Sequence, residues 1–248
     1  MKLCPNINRT AWRWHVRKKT PWLRIFYDVE SSGHGTADDP RERITAFGAA
    51  VLVSGRCDGA DSRFYSLVNP GHRQTSYTQN LTGLADEDLK RAPVFADVWS
   101  DFASFVRAHL KRHNVKEGLI IAGHNINASD NYKLFSELRR SKRQLTDLLL
   151  TRLRLRFEDT LPRHKLHKDE LQLELGVADL KLSTLHRHFF GNAADDKPHD
   201  ALWDATAVRD IYAKSRELRM HVSSVSVDEA FACWQKLRRV PHDDWRPL

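Results

Sequence analysis

The stretch Ile25-Phe26-Tyr27-Asp28-Val29-Glu30-Ser31-Ser32-Gly33 constrains the fold more than any other part of the chain. It is an apolar run that carries two carboxylates and stops at a glycine, the pattern of a buried strand that ends in a site. Side chains alternate along a strand, so Asp28 and Glu30 point to one face. Two like charges side by side raise each other's pKa and are costly to bury, and a hard divalent cation is the simplest compensation. An isolated pair of this kind more often just solvates a strand end, so the reading needs partners elsewhere.

With 248 residues, 41% of them hydrophobic, the chain can bury the core of a single α/β domain. No run approaches the ~18 apolar residues that would span a membrane. A soluble intracellular protein, cytoplasmic or nuclear and without a membrane partner, is therefore expected. Forty Lys and Arg against thirty-two Asp and Glu give a formal net charge of +8, which favours a polyanionic partner such as nucleic acid. Cys4, Cys57 and Cys233 are far apart and form no C-x-x-C, so neither a disulfide framework nor a zinc site is indicated.

Residues 1–22 hold no acid and interleave Arg9, Arg13, Arg17, Lys18 and Lys19 with Trp12, Trp14 and Trp22, a mixture that can grip phosphates and stack on bases. After Gly33 the apolar segments 44–53 and 64–68 complete a three-strand antiparallel meander with the first strand. Pro93 opens a helix whose stripe runs through Val94, Val98, Phe102 and Leu110, and Gly118-Leu119-Ile120-Ile121-Ala122-Gly123 reads as a central strand covered on both faces. That strand delivers His124-Asn125, and the next helix has Asp130 at its entrance. Leu153, Leu155 and Phe157 alternate with Arg152, Arg154 and Arg156, a half-buried strand with a basic outer face. The chain turns helical from Asp169, a core helix carries Asp204 on its second turn, and a last helix is expected from Asp228 to Arg239.

Asp28 and Glu30 at one strand end, Asp130 after another, and His199 with Asp204 around a helix start would gather at one rim of an α/β sheet. Four carboxylates and a histidine at one rim describe a two-metal phosphodiesterase, in which one ion activates the attacking water and the other stabilises the departing oxygen. A five-residue step rotates about 500° on a helix, so His199 and Asp204 would not share a helical face. With His199 in the loop before the helix, it can arch back over the metals.

The segments Asp28-Val29-Glu30-Ser31-Ser32-Gly33, His124-Asn125 with Asp130, and His199-Asp200-Ala201-Leu202-Trp203-Asp204 resemble the three motifs of the DEDDh family of 3′-to-5′ exonucleases. The six-residue step from His124 to Asp130 is similar to the three-prime repair exonuclease (TREX-like) branch. Asn80-Leu81-Thr82-Gly83-Leu84, Asp159-Thr160-Leu161-Pro162 and Leu180-Lys181-Leu182-Ser183-Thr184-Leu185 extend the likeness over roughly residues 23 to 214. The resemblance implies a ribonuclease H-like α/β fold, with a central mixed five-stranded sheet of an antiparallel meander plus parallel strands, flanked by helices. The chain would divide into a basic and aromatic arm over 1–22, the exonuclease domain over 23–215, and a helical extension over 216–248 packed on it.

By the same resemblance, two divalent ions, Mg²⁺ or Mn²⁺, would be held by Asp28, Glu30, Asp130 and Asp204, with His199 as general base. A neutral imidazole can take a proton from metal-bound water at physiological pH. Ser31, Leu81, Thr82 and Asn125 would meet the terminal nucleotide, although Leu81 could equally staple the following helix. His34 and Ser129 depart from the branch's pattern, standing where an apolar and an aromatic residue are usual. The expected partners are 3′ ends of single-stranded DNA or RNA, and a homodimer is an expectation without a decisive signal in the chain. Two competing readings are a catalytically silent module that holds nucleic-acid ends on the same fold, and an endonuclease on related architecture.

Overall fold

In the computed structural model the described residues are 22–33, 41–53, 56–57, 62–150, 153–162, 165–191 and 199–238. The arm over 1–21, His34, Arg152 and the residues after 238 lie outside them. Strand β1 (Leu23–Ser31) follows its alternation: Leu23, Ile25, Tyr27 and Val29 enter one core, and Phe26 enters a second on the opposite face. Strand β2 (Ile44–Val53) runs antiparallel to β1 and is buried along all ten residues, as a strand covered on both faces must be. The two-residue β3 (Arg56–Cys57) and β4 (Arg63–Leu67) both pair antiparallel with β2, so β1, β2 and β4 form the expected meander.

Helices α1 (Ser76–Thr82), α2 (Asp86–Arg91) and α3 (Phe95–Arg112) follow. On α3, Phe95, Val98, Trp99, Phe102, Val106 and Leu110 are buried at steps of three and four, the stripe of a helix laid on a sheet. Strand β5 (Gly118–Gly123) is wholly buried and parallel to β1. Helix α4 (Asp130–Ser141) and a single 3₁₀ turn (Leu145–Leu148) lead to β6 (Arg154–Asp159), which is parallel to β5. Arg154 and Arg156 stand over the Trp22 ring at 5.0 and 5.8 Å, so the basic outer face of β6 is partly covered by the residue that enters β1. Helices α5 (Lys165–Leu175), α6 (Leu182–Phe190), α7 (Ala201–Lys214) and α8 (Arg216–Met220) precede β7 (Ser223–Ser226) and α9 (Val227–Arg238).

The sheet order is β3-β2-β1-β5-β6-β7, with β4 also on β2, which makes seven strands among the described residues rather than five. The five expected strands are present, and both additions are short. β3 has two residues, and β7 reads Ser-Ser-Val-Ser, whose single apolar residue makes no strand pattern. Because β7 pairs antiparallel with β6, the C-terminal stretch adds a strand as well as helices. Its α9 is held by Trp234 and Phe231 edge-on to Phe135, and the Trp234 indole N–H donates to Ser136 Oγ at 3.1 Å. Helix α5 starts at Lys165 rather than Asp169, and the pair Lys165–Asp169 spans its first turn. Among the described residues no helix is long and apolar enough to cross a membrane.

One glycine sets the distance between the sheet and α7. Gly48 lies opposite Asp28, and a Cβ placed on it would fall 2.2 Å from the carbonyl carbon and oxygen of Ala201, the first residue of α7. Neither backbone can move without moving the strand or the helix. Gly48→Ala is therefore expected to cost about 3 kcal/mol of stability, and to reduce activity further because α7 carries Asp204. Thermal unfolding together with turnover measures both, and wild-type values would contradict this account of the packing.

Candidate active site

Three segments bring carboxylates to one cavity of about 690 Å³. Asp28 and Glu30 come from the end of β1, on the face that looks towards α7. The register of β1 with β2 shifts between Glu30 and Ser31, and this irregularity ends the strand at the cavity. Asp130 is the first residue of α4 and accepts a hydrogen bond from the Val29 backbone N–H, which ties it to β1. Asp204 lies in the first turn of α7, rather than the second as expected, because the helix begins only at Ala201.

His199 joins them from the loop before α7. Asp200 caps that helix by accepting from the backbone N–H groups of Leu202 and Trp203 at 2.9 and 3.0 Å, so the helix begins at Ala201. His199 has φ 67°, a left-handed backbone that reverses the chain, and its N–H donates to Asp204 Oδ2 at 3.1 Å. Glu30, His199 and Asp204 each offer a ligand atom, all within 4.8 Å of one another.

The carboxylates are electrostatically frustrated. Burial, and then Asp130, Asp204 and Glu30, push Asp28 well above the usual carboxylate range. Burial and the Asp204 charge raise Glu30 to about 8. Asp204 is raised to about 7 by burial, against the His199 hydrogen bond that favours its anion. Asp130 is raised to about 6 by burial, with the Lys133 ammonium pulling the other way. For Lys133, burial lowers the pKa, but the charges of Asp130, Tyr132, Asp28 and Glu42 outweigh it and hold the ammonium form. Oxygen donors that cannot all ionise together, with one imidazole beside them, are a donor set suited to hard divalent cations.

The rim on the other side of the cavity is helix α1. Gly33 turns the chain at φ 77°, and a Cβ there would fall 1.7 Å from Thr78 Oγ1, so only glycine lets β1 end this close to α1. Thr75 caps α1 by accepting from the Thr78 N–H at 3.2 Å, and its own N–H donates to Ser32 O at 3.0 Å. Leu81 and Tyr77, one turn apart, stand 39% and 73% exposed on the cavity wall. Ser31, Leu81 and Asn125 line the cavity, and Thr82 stands outside its lining. Its hydroxyl donates to Thr78 O at 3.0 Å and accepts from the Leu84 N–H, which closes the end of α1.

Asp159, outside the four, organises the loop after β5. Its carboxylate accepts from the backbone N–H groups of Asn125, Asn127 and Leu161 at 2.7, 3.0 and 2.9 Å, which holds Asn125 at φ 62° on the cavity edge. His124 is half-buried beneath, and desolvation lowers its pKa. Its Nε2 lies 2.8 Å from the Leu180 carbonyl, which can only accept, so the proton is on Nε2 and Nδ1 accepts from the Thr160 hydroxyl at 2.9 Å. Lys133 and Tyr77 are site residues that the sequence motifs do not include. Each is detectable as the helical neighbour of a motif residue, Lys133 three after Asp130 and Tyr77 four before Leu81.

Comparison with known proteins agrees with this arrangement. Residues 25–212 match the model of the RNase_T family, described as exonuclease, while no curated protein sequence matches. Among solved structures, cell-death related nuclease 4 (CRN-4) superposes with a TM-score of 0.56 at 14% identity, over 84% of this chain and 66% of that one. A 3′-exonuclease solved for its recognition of the histone mRNA stem-loop gives 0.55 at 15% identity, over 84% and 92%. The nuclease domain of 3′hExo, a DEDDh family member bound to rAMP, gives 0.53 at 18% identity, over 79% and 90%. The chain thus spans just under two thirds of CRN-4 and most of the other two, and at these identities the likeness is one of fold, the ribonuclease H-like arrangement of a mixed sheet between helices. With a match that runs over most of its length, the chain belongs to the exonuclease family.

Proposed function

We propose that the protein is a divalent-metal-dependent 3′-to-5′ exonuclease of DEDDh type that removes nucleoside 5′-monophosphates from single-stranded ends of DNA or RNA. The observation that carries this reading is the set of four buried or half-buried carboxylates from three separated segments around one open cavity, with His199 beside them. Asp28, Glu30, Asp130 and Asp204 would hold two ions, Mg²⁺ or Mn²⁺. When bound, such a pair supplies an activated water and charge stabilisation for the departing 3′ oxygen.

The chain's own side chains do the rest. His199, on a loop fixed through its backbone to Asp204, accepts the proton from the attacking water. Lys133 keeps a positive charge on the cavity wall, where it offsets the carboxylates and faces the phosphate. Tyr77 and Leu81 give the terminal base an apolar wall, and Asn125 and Ser31 offer it polar partners. The spacing of the motifs and the Leu81-Thr82-Gly83 segment favour the three-prime repair branch.

A 5′-labelled oligonucleotide, linear or closed into a circle, tests the reading with Mg²⁺ present. A ladder that shortens from the 3′ end of the linear strand, with the circle left intact and mononucleotides as product, is the expected result. Cleavage of the circle would make the protein an endonuclease. Salt-sensitive binding without any cleavage would make it an end-binding module.

A further inference from the structure

Strands β1, β5 and β6 run parallel, so while Glu30 and Asn125 stand at the carboxylate cavity, the first residues of the three strands meet at the other end of the sheet. Leu23 and Glu30 are seven residues apart on β1, which is about 23 Å at ~3.3 Å per residue. At that far end Trp22, Arg154 and Arg156 form one cluster. The Trp22 ring rests on the backbone of β5, since a Cβ on Gly118 would fall 2.2 and 2.6 Å from two of its ring carbons. Both guanidinium groups stand over that ring, at 5.0 and 5.8 Å, while both arginines remain exposed.

We infer that this cluster is a second nucleic-acid surface, which holds the phosphate backbone of a strand remote from the carboxylate cavity. The inference goes beyond the exonuclease reading and does not rest on it.

Three observations support it. First, the carboxylates around the two arginines do not neutralise them. Glu158, on the same face of β6, pairs with Arg24 at 2.8 and 3.2 Å, and Glu229 accepts from the N–H and hydroxyl of Ser226, the residue opposite Arg156. Among the described residues neither arginine forms an ion pair, and nor do Glu117 and Asp228 on the adjoining segments. Second, the indole positions the guanidinium groups without using their N–H groups. An arginine held by cation–π contact keeps its donor fork for an outside acceptor, and the planar fork suits a phosphate bidentately. Alternate residues of a strand lie ~6.6 Å apart, so β6 offers two such forks in a row. Third, the chain that enters Trp22 has the same chemistry. Residues 1–21 carry Arg9, Arg13, Arg17, Lys18 and Lys19 with Trp12 and Trp14 and no acid. Indole rings among the cations favour a nucleic acid over an acidic protein, because bases offer them stacking partners.

A closed circle of single-stranded DNA isolates this surface, because it has no 3′ end to enter the cavity, and EDTA prevents metal-dependent cleavage. Fluorescence anisotropy of the labelled circle would compare the wild type with Arg154→Gln/Arg156→Gln, in which a planar amide can still cover the Trp22 ring. The variant is expected to bind about tenfold more weakly at near-physiological salt and to lose about 1.4 from the salt slope, as for two phosphate contacts of ~0.7 each on a single strand. Arg154→Lys/Arg156→Lys should recover the slope, since the slope counts charges. Both variants should melt with the wild type. A wild type that does not bind the circle, affinity and slope unchanged in the first variant, or a loss matched by a lower melting temperature would each overturn the inference. Displacement of the circle by poly-glutamate as readily as by unlabelled DNA would overturn it too, and would assign the surface to an acidic protein. Failure of the exonuclease reading shows separately, in the linear oligonucleotide, and leaves the result with the circle standing.

Discussion

Asp204→Asn is expected to abolish turnover and to stabilise the metal-free protein at the same time. Loss of one carboxylate from a two-ion site removes several kcal/mol of charge stabilisation, which corresponds to a fall in kcat/KM of about 10³-fold or more. The gain in stability follows from the raised carboxylates. Asp204 stands at about 7 against an ordinary 3.8, and Glu30 at about 8 against 4.5. A group with a raised pKa binds more protons folded than unfolded, so its contribution is fully present below the unfolded value and is lost as pH rises through the folded one. Without metal, the wild type should therefore lose stability as pH climbs from about 4 to about 8. Asparagine keeps an oxygen for the His199 N–H but carries no charge. The variant should melt above the wild type in EDTA at about pH 8 and match it at about pH 4. A variant that melts lower at the alkaline end would show that the carboxylates are not in conflict. Glu30→Gln should behave in the same way.

His199→Asn separates the base from the ligands. His199 sits at φ 67°, where asparagine is tolerated better than alanine, so the loop can keep its shape without the imidazole. Loss of a positioned base lowers kcat by about 10²–10⁴-fold. If His199 acts as a base, Mn²⁺ affinity should stay within a few-fold of the wild type. Its nearness to Glu30 and Asp204 would also suit a ligand, and in that case Mn²⁺ affinity would fall together with kcat.

Much of this site is legible in the amino-acid sequence, because its residues sit where secondary structure leaves little choice. The parity of Asp28 and Glu30 places both on one face of β1, and the uniformly apolar β5 has to be central and has to end at His124-Asn125. The break before α7 lets His199 return over Asp204, as the helical rotation requires. The parts that local pattern does not reveal depend on tertiary partners. β7 is a strand only because β6 offers an open edge to pair with, and β3 only because β2 is long enough to hold two partners on one side. Tyr77 enters the cavity because Gly33 lets α1 approach the end of β1, a contact between segments far apart in sequence. The hydroxyl of Thr82, a motif residue, also closes the end of α1, a contact that the motif does not reveal.

Clustered carboxylates that form a divalent-metal site should take up Mn²⁺, which calorimetric titration near neutral pH measures. Run in two buffers of different ionisation enthalpy, the titration reports ions bound and protons released together. Since Glu30 and Asp204 are partly protonated near neutrality without metal, binding should release protons. Two Mn²⁺ per chain with proton release are expected in the wild type, and a loss of sites or affinity in Asp204→Asn. Absence of Mn²⁺ uptake, or uptake that Asp204→Asn leaves unchanged, would contradict a divalent-metal site.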